Sequence, residues 1–140
     1  MASEKELYIY ELCFKVRDYE CDMQGIVNNS VYQNYFEHTR HEFLAEQGIS
    51  FVELHQQGID PVVARISIDF KNSLRSGDEF ISKLYMVKEG IKFVFHQAIF
   101  RKSDGKLSVK ARVDTVCTVN GRLTKGEVFD DLFKDFLTNQ

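Results

Sequence analysis

Residues 7–17, LYIYELCFKVR, place Tyr8, Tyr10, Leu12, Phe14 and Val16 at every second position, the period of a strand with one buried face. Over residues 30–47 the period changes. Tyr32, Tyr35, Phe36, Thr39 and Phe43 recur at helical spacing, and Gly48 suits the stop. Ser30 and Gln33 have the spacing of a capping box, in which two side chains satisfy the free N–H groups of a first turn. After Pro61 the period returns to two, with Val62, Ala64, Ile66, Ile68 and Phe70 on one face of a half-buried strand. RSGD (75–78), EG (89–90), SDGK (103–106) and NG (120–121) then punctuate three further strands. A final segment, EVFDDLFKDFL, puts Val128, Leu132, Phe133 and Phe136 on one helical stripe.

The predicted order is strand, helix, four strands, terminal helix, an α+β chain. Short turns between consecutive strands predict an antiparallel meander with the long helix on one face. One helix cannot cover both edges of five strands, and an open edge is usually covered or paired, so self-association by edge pairing is expected.

Composition narrows the function classes. A chain of 140 residues is the size of one domain, read here as residues 1–140. Hydrophobic residues at 44% and charged residues at 28% describe a folded chain. A net charge of −3 argues against a nucleic-acid surface, and no apolar run is long enough to span a bilayer. The N-terminus lacks a secretory apolar core, and Cys13, Cys21 and Cys117 are odd in number and far apart. Both features point to reduced thiols in a cytoplasm and away from a zinc site.

The densest chemistry lies in CDMQGIVNNSVYQNYFE (21–37), where Asp22 and two asparagines precede the long helix. A helix start offers unpaired N–H groups and a positive dipole end, suited to an oxygen that gains negative charge. On local grounds alone an aspartate in such a loop reads as a turn former or cap.

The stretch VRDYECDMQGIVNNSVYQNYFEHTRHEFL (16–44) resembles the hot-dog thioesterases of the 4-hydroxybenzoyl-CoA thioesterase type. The family pattern falls on Asp22, Gly25, Ile26, Val27, Tyr32, Tyr35, Phe36 and Glu37, and NSLRSGD (72–78) resembles the segment joining the second and third strands. Asn28-Asn29 stands where many bacterial members carry Tyr-His, a departure closer to the plant acyl-lipid thioesterase and methylketone synthase branch. The resemblance implies a hot-dog fold, an antiparallel five-stranded sheet wrapped around one long helix with a short C-terminal helix. It implies hydrolysis of acyl-CoA or acyl-carrier-protein thioesters, no bound cofactor or metal, and a homodimer or a dimer of dimers. Asp22 would be general base or nucleophile, and the backbone N–H of Asn29 would polarise the carbonyl. Gly25, which lets backbone approach substrate, Val27, Asn28 and Tyr32 would border the substrate. Asn28 and Asn29 read equally well as loop and cap residues, whereas Tyr32 and Phe36 read as core-facing ahead of substrate-binding. Of the basic residues that could meet the phosphates of coenzyme A or phosphopantetheine, Arg75 is singled out by its turn position.

Other constellations point elsewhere only weakly. His38 and His41 lack a third ligand, His96 reads as a satisfied core histidine, and Glu37 as solvated or paired with His41. Cys21 has no neighbouring histidine, and no Gly-x-Ser-x-Gly elbow occurs. The competing classes are a non-catalytic acyl-CoA-binding hot-dog module and a hot-dog dehydratase or hydratase. The latter resembles a catalytic His followed by a proline-rich loop, and this chain has one proline.

Overall fold

The structure, a computed structural model, describes residues 4–138. Its elements are α1 (Glu4–Leu7), β1 (Tyr10–Lys15), α2 (Asn29–Glu46), α3 (Phe51–Gln56), β2 (Ile59–Phe70), β3 (Glu79–Glu89), β4 (Lys92–Arg101), β5 (Leu107–Val119), β6 (Arg122–Leu123) and α4 (Glu127–Phe133).

The long strands lie antiparallel in the order β1-β3-β4-β5-β2, with β6 pairing the end of β5. The expected meander therefore holds for β3, β4 and β5 only. β2 crosses the sheet to pair with β5 at the far edge, because residues 71–78 are longer than the roughly two to five residues of a hairpin loop. That connection is tied instead to the end of β1, through Val16 N–H to the Asp78 carbonyl at 2.8 Å and Gly77 N–H to the Val16 carbonyl at 3.0 Å.

α2 packs on the inner face of the sheet through Tyr32, Tyr35, Phe36, Thr39, Arg40, Phe43 and Leu44. Its start differs from the expected capping box. Asn28, not Ser30, is the cap: the Asn28 side-chain oxygen accepts from the Ser30 amide at 3.1 Å and the Ser30 hydroxyl at 3.0 Å. Its stop is as expected. Gly48 takes a positive φ of 79° and donates to the Ala45 carbonyl, while Ile49 donates to the Leu44 carbonyl, the paired closure of a Schellman motif.

Three further expectations are corrected. Tyr8 lies ahead of β1 and packs edge-on against Tyr85 at 5.5 Å, with the cluster of Tyr85, Val87 and Val94, whereas Tyr10 packs against Phe43. In α4 the buried stripe is Phe129 and Phe133, stacked on each other at 4.9 Å and edge-on to Phe93 at 5.9 and 5.3 Å, and Val128 and Leu132 face solvent. Gly126 makes that docking possible, since a Cβ there would lie 2.6 Å from the Phe93 ring. His96 is not satisfied: it stacks on Tyr85 at 4.7 Å, and its buried Nε2 has no partner among the described residues. α3 was not foreseen, although Ser50 caps it by accepting from the Glu53 amide at 3.2 Å.

Candidate active site

The segment before α2 is built from short-range hydrogen bonds. A 3-10 turn at Asp18–Glu20 is closed by Glu20, whose carboxylate accepts from the Arg17 amide at 2.8 Å and the Arg17 guanidinium at 3.3 Å. The same carboxylate accepts from the Tyr35 hydroxyl at 2.8 Å, fastening the turn to the second turn of α2. Burial and then the Glu20 carboxylate push the Tyr35 phenol well above its usual range, so it remains a donor at neutral pH.

Residues 21–27 then form a tight hairpin. Cys21 bridges Val27, Asp22 N–H donates to the Ile26 carbonyl at 2.9 Å, and Gly25 N–H donates to the Asp22 carbonyl at 3.0 Å. Gly25 has a φ of 80°, a conformation that costs glycine nothing. Asp22 sits at the start of this turn, exposed, with Oδ1 accepting from the Gln24 amide at 2.8 Å. Arg75 bridges Ile26, and its guanidinium lies 3.9 Å from where a Gly25 Cβ would stand.

Val27, Asn29 and Tyr32 line a small cavity of about 110 Å³ shared with Phe70 and Ser73. Val27 N–H donates to the Leu74 carbonyl at 2.9 Å, and the Tyr32 hydroxyl accepts from the Leu74 amide at 3.2 Å, which binds the cavity wall to residues 72–75. The Asn28 amide is taken by the Glu20 carbonyl and the Ser30 amide by the Asn28 side chain. The Asn29 amide has no hydrogen-bond partner among the described residues. It is the free donor of the helix start.

The structure thus brings the sequence-predicted residues together in two groups. Val27, Asn29 and Tyr32 line the cavity; Asp22 and Gly25 lie on the hairpin before α2 and Arg75 bridges that hairpin at Ile26, and none of these three lines the cavity. Asn28 sits between them with its side-chain oxygen committed to capping. Glu37 lies 3.9 Å from His41, and both are about half exposed. Cys21 is half-buried, and burial together with the Asp22 and Glu20 carboxylates raises its thiol, which disfavours a thiolate at neutral pH. Sequence reasoning missed Glu20, whose partner Tyr35 is fifteen residues away. The only local signal was the Arg17-to-Glu20 spacing. Among the described residues, no three His, Cys, Asp or Glu side chains group to hold a metal ion, and no helix is long and apolar enough to cross a membrane.

A long helix held on the inner face of a curled antiparallel sheet, with the 21–27 hairpin ahead of its start, describes a hot-dog protein. The chain belongs to the Thioesterase-like superfamily, whose pattern matches residues 16–136. It is 46% identical over 74 residues to the chloroplastic acyl-acyl carrier protein thioesterase ATL3 of Arabidopsis thaliana, covering 53% of this chain and 39% of that protein. To ATL2 of the same plant, named likewise, it is 42% identical over 95 residues, covering 66% of this chain and 50% of that protein. The matched stretch spans half or less of both relatives. The 12:0-ACP thioesterase of Umbellularia californica superposes with a TM-score of 0.84 at 13% identity, over 94% of this chain and 51% of that one, a likeness of fold.

Proposed function

We propose that this chain hydrolyses acyl thioesters carried on coenzyme A or on a carrier protein. The observation that carries the reading is the Asn29 amide, unpaired at the start of α2 in a residue that lines a cavity, with the Asp22 turn earlier in the same segment. In this reading the thioester oxygen takes the Asn29 N–H, where the helix dipole favours the developing charge. Asp22, with one oxygen held by Gln24 and the other free of side-chain or backbone donors, attacks the carbonyl carbon or draws a proton from water that does so. Direct attack forms a mixed anhydride and expels the thiolate, and water then cleaves the anhydride; the water route expels the thiolate in one displacement sequence. Either way the products are a free acid and a thiol. Gly25 leaves the backbone bare beside the Arg75 guanidinium, and in this reading that guanidinium meets a carrier phosphate.

The family and the Arabidopsis relatives' names support acyl-carrier thioesters as the substrate class. Thiol release from a panel of acyl-CoA and acyl-carrier-protein thioesters, varied in chain length and 3-oxo substitution, tests the reading. Steady turnover of at least one member is expected. Tight binding of acyl-CoA with no thiol released from any member would replace hydrolysis with a binding module.

A further inference from the structure

A second cavity, about 480 Å³, opens along the same seam between α2 and the β2 side of the sheet as the Asn29 cavity, further along the helix. Its walls are largely apolar, with Leu44, Phe51, Phe95 and Phe133 among them. Five charged or titratable residues also line it. Four of them pair off: Glu37 with His41 at 3.9 Å, and His55 with Asp60 at 2.7 Å. Arg40 is the fifth. It is 8% exposed, and no carboxylate among the described residues lies within ion-pair distance of it.

Its guanidinium gives one N–H to the Gln97 side-chain oxygen at 3.0 Å and sits 5.9 Å from the centre of the Phe95 ring. Gln97 is fixed in turn, donating to the Phe36 carbonyl at 3.1 Å. A neutral amide and a ring face offset only part of the cost of taking a guanidinium out of water. Burial lowers the Arg40 pKa, opposed by the Glu37 charge at the cavity mouth. A guanidinium so held is a pre-oriented set of donors facing an apolar space, the arrangement that recognises an anion at the end of an apolar ligand.

The geometry points to Arg40 as the recognition group for the far end of the acyl chain, selecting thioesters whose chain ends in a carboxylate. This rests on the thioesterase reading, which fixes the other end at Asn29. Asn29 and Arg40 are eleven residues apart on one helix, about 16 Å of axial rise at ~1.5 Å per residue. The Arg40 side chain leans back toward the helix start, so the separation matches a chain of about ten to fourteen carbons. The substrate is then a long-chain dicarboxylic acid esterified to the carrier thiol at one end only.

The test compares tetradecanedioyl-CoA, joined through one carboxyl, with tetradecanoyl-CoA. The wild type is expected to favour the former in kcat/KM by roughly ten- to a hundredfold, the range of a hydrogen bond to a buried charge. Arg40→Met is expected to bring that ratio to one or below, and Arg40→Lys to retain part of it. A wild-type ratio of one or less, or a ratio unchanged in a folded Arg40→Met, overturns the assignment. Should Arg40→Met fail to fold, the wild-type ratio alone decides. Should the folded wild type hydrolyse neither compound, the thioester panel decides the thioesterase reading separately. The ratio of calorimetric Kd values for the same two compounds then decides the Arg40 assignment, with a value near one overturning it.

Discussion

Two neighbouring carboxylates show how environment divides roles in this site. Glu20 is engaged by the Arg17 amide, the Arg17 guanidinium and the Tyr35 hydroxyl, so its oxygens hold the loop to α2. Asp22 gives one oxygen to its own turn and keeps the other free. The tyrosines carry a measurable consequence. Burial, ahead of nearby carboxylates, pushes Tyr10 and Tyr85 up to about 12, and raises Tyr8 and Tyr35 further. An unfolded tyrosine titrates near 10, so between about pH 10 and 12 the unfolded chain has released protons that the native chain still holds. This contribution to stability is complete below about pH 10 and is lost as pH rises through the native values. Melting temperature followed with phenolate absorbance is expected to fall steadily above about pH 10, with absorbance rising as the fold is lost. Full phenolate absorbance at pH 11 with the native circular dichroism spectrum intact would contradict the burial of these hydroxyls.

At the scale of elements, β2 is the exposed participant. It ends the sheet, its alternation is broken by a register shift between Val63 and Arg65, and Ile66 and Phe70 stand 38% and 50% exposed. A twelve-residue edge strand with apolar side chains in water is a template for another strand. Two copies paired along β2 would cover those side chains and enclose the seam that holds both cavities. Sedimentation at micromolar concentration is expected to give a dimer or a multiple of it, and a monomer there would count against the pairing. The elements themselves were readable where a period ran long: α2 from Tyr32 to Phe43 and the strands around the 75–78, 89–90, 103–106 and 120–121 turns. What failed was local competition. Asn28 outdid Ser30 as cap because its amide oxygen reaches the Ser30 N–H, and the six residues of α3 are too few to show a period, although Ser50 and Glu53 carry the cap spacing.

For the whole molecule, strand order was the least legible feature, because nothing local in residues 59–70 says that β5 rather than β3 is the partner. The family likeness supplied what periodicity could not, the curled sheet around α2. It left Arg40 unremarked, since its isolation from counter-charges depends on Gln97 and Phe95, both distant in sequence. The account as a whole turns on the Asp22 carboxylate acting at a thioester carbon. Asp22→Asn keeps the side chain's size and its acceptor for the Gln24 amide while removing charge and basicity, so the fold should survive. Its kcat on the best acyl thioester of the wild type is predicted to fall at least about a hundredfold with the melting temperature unchanged. A folded Asp22→Asn protein that turns over at the wild-type rate would contradict the account.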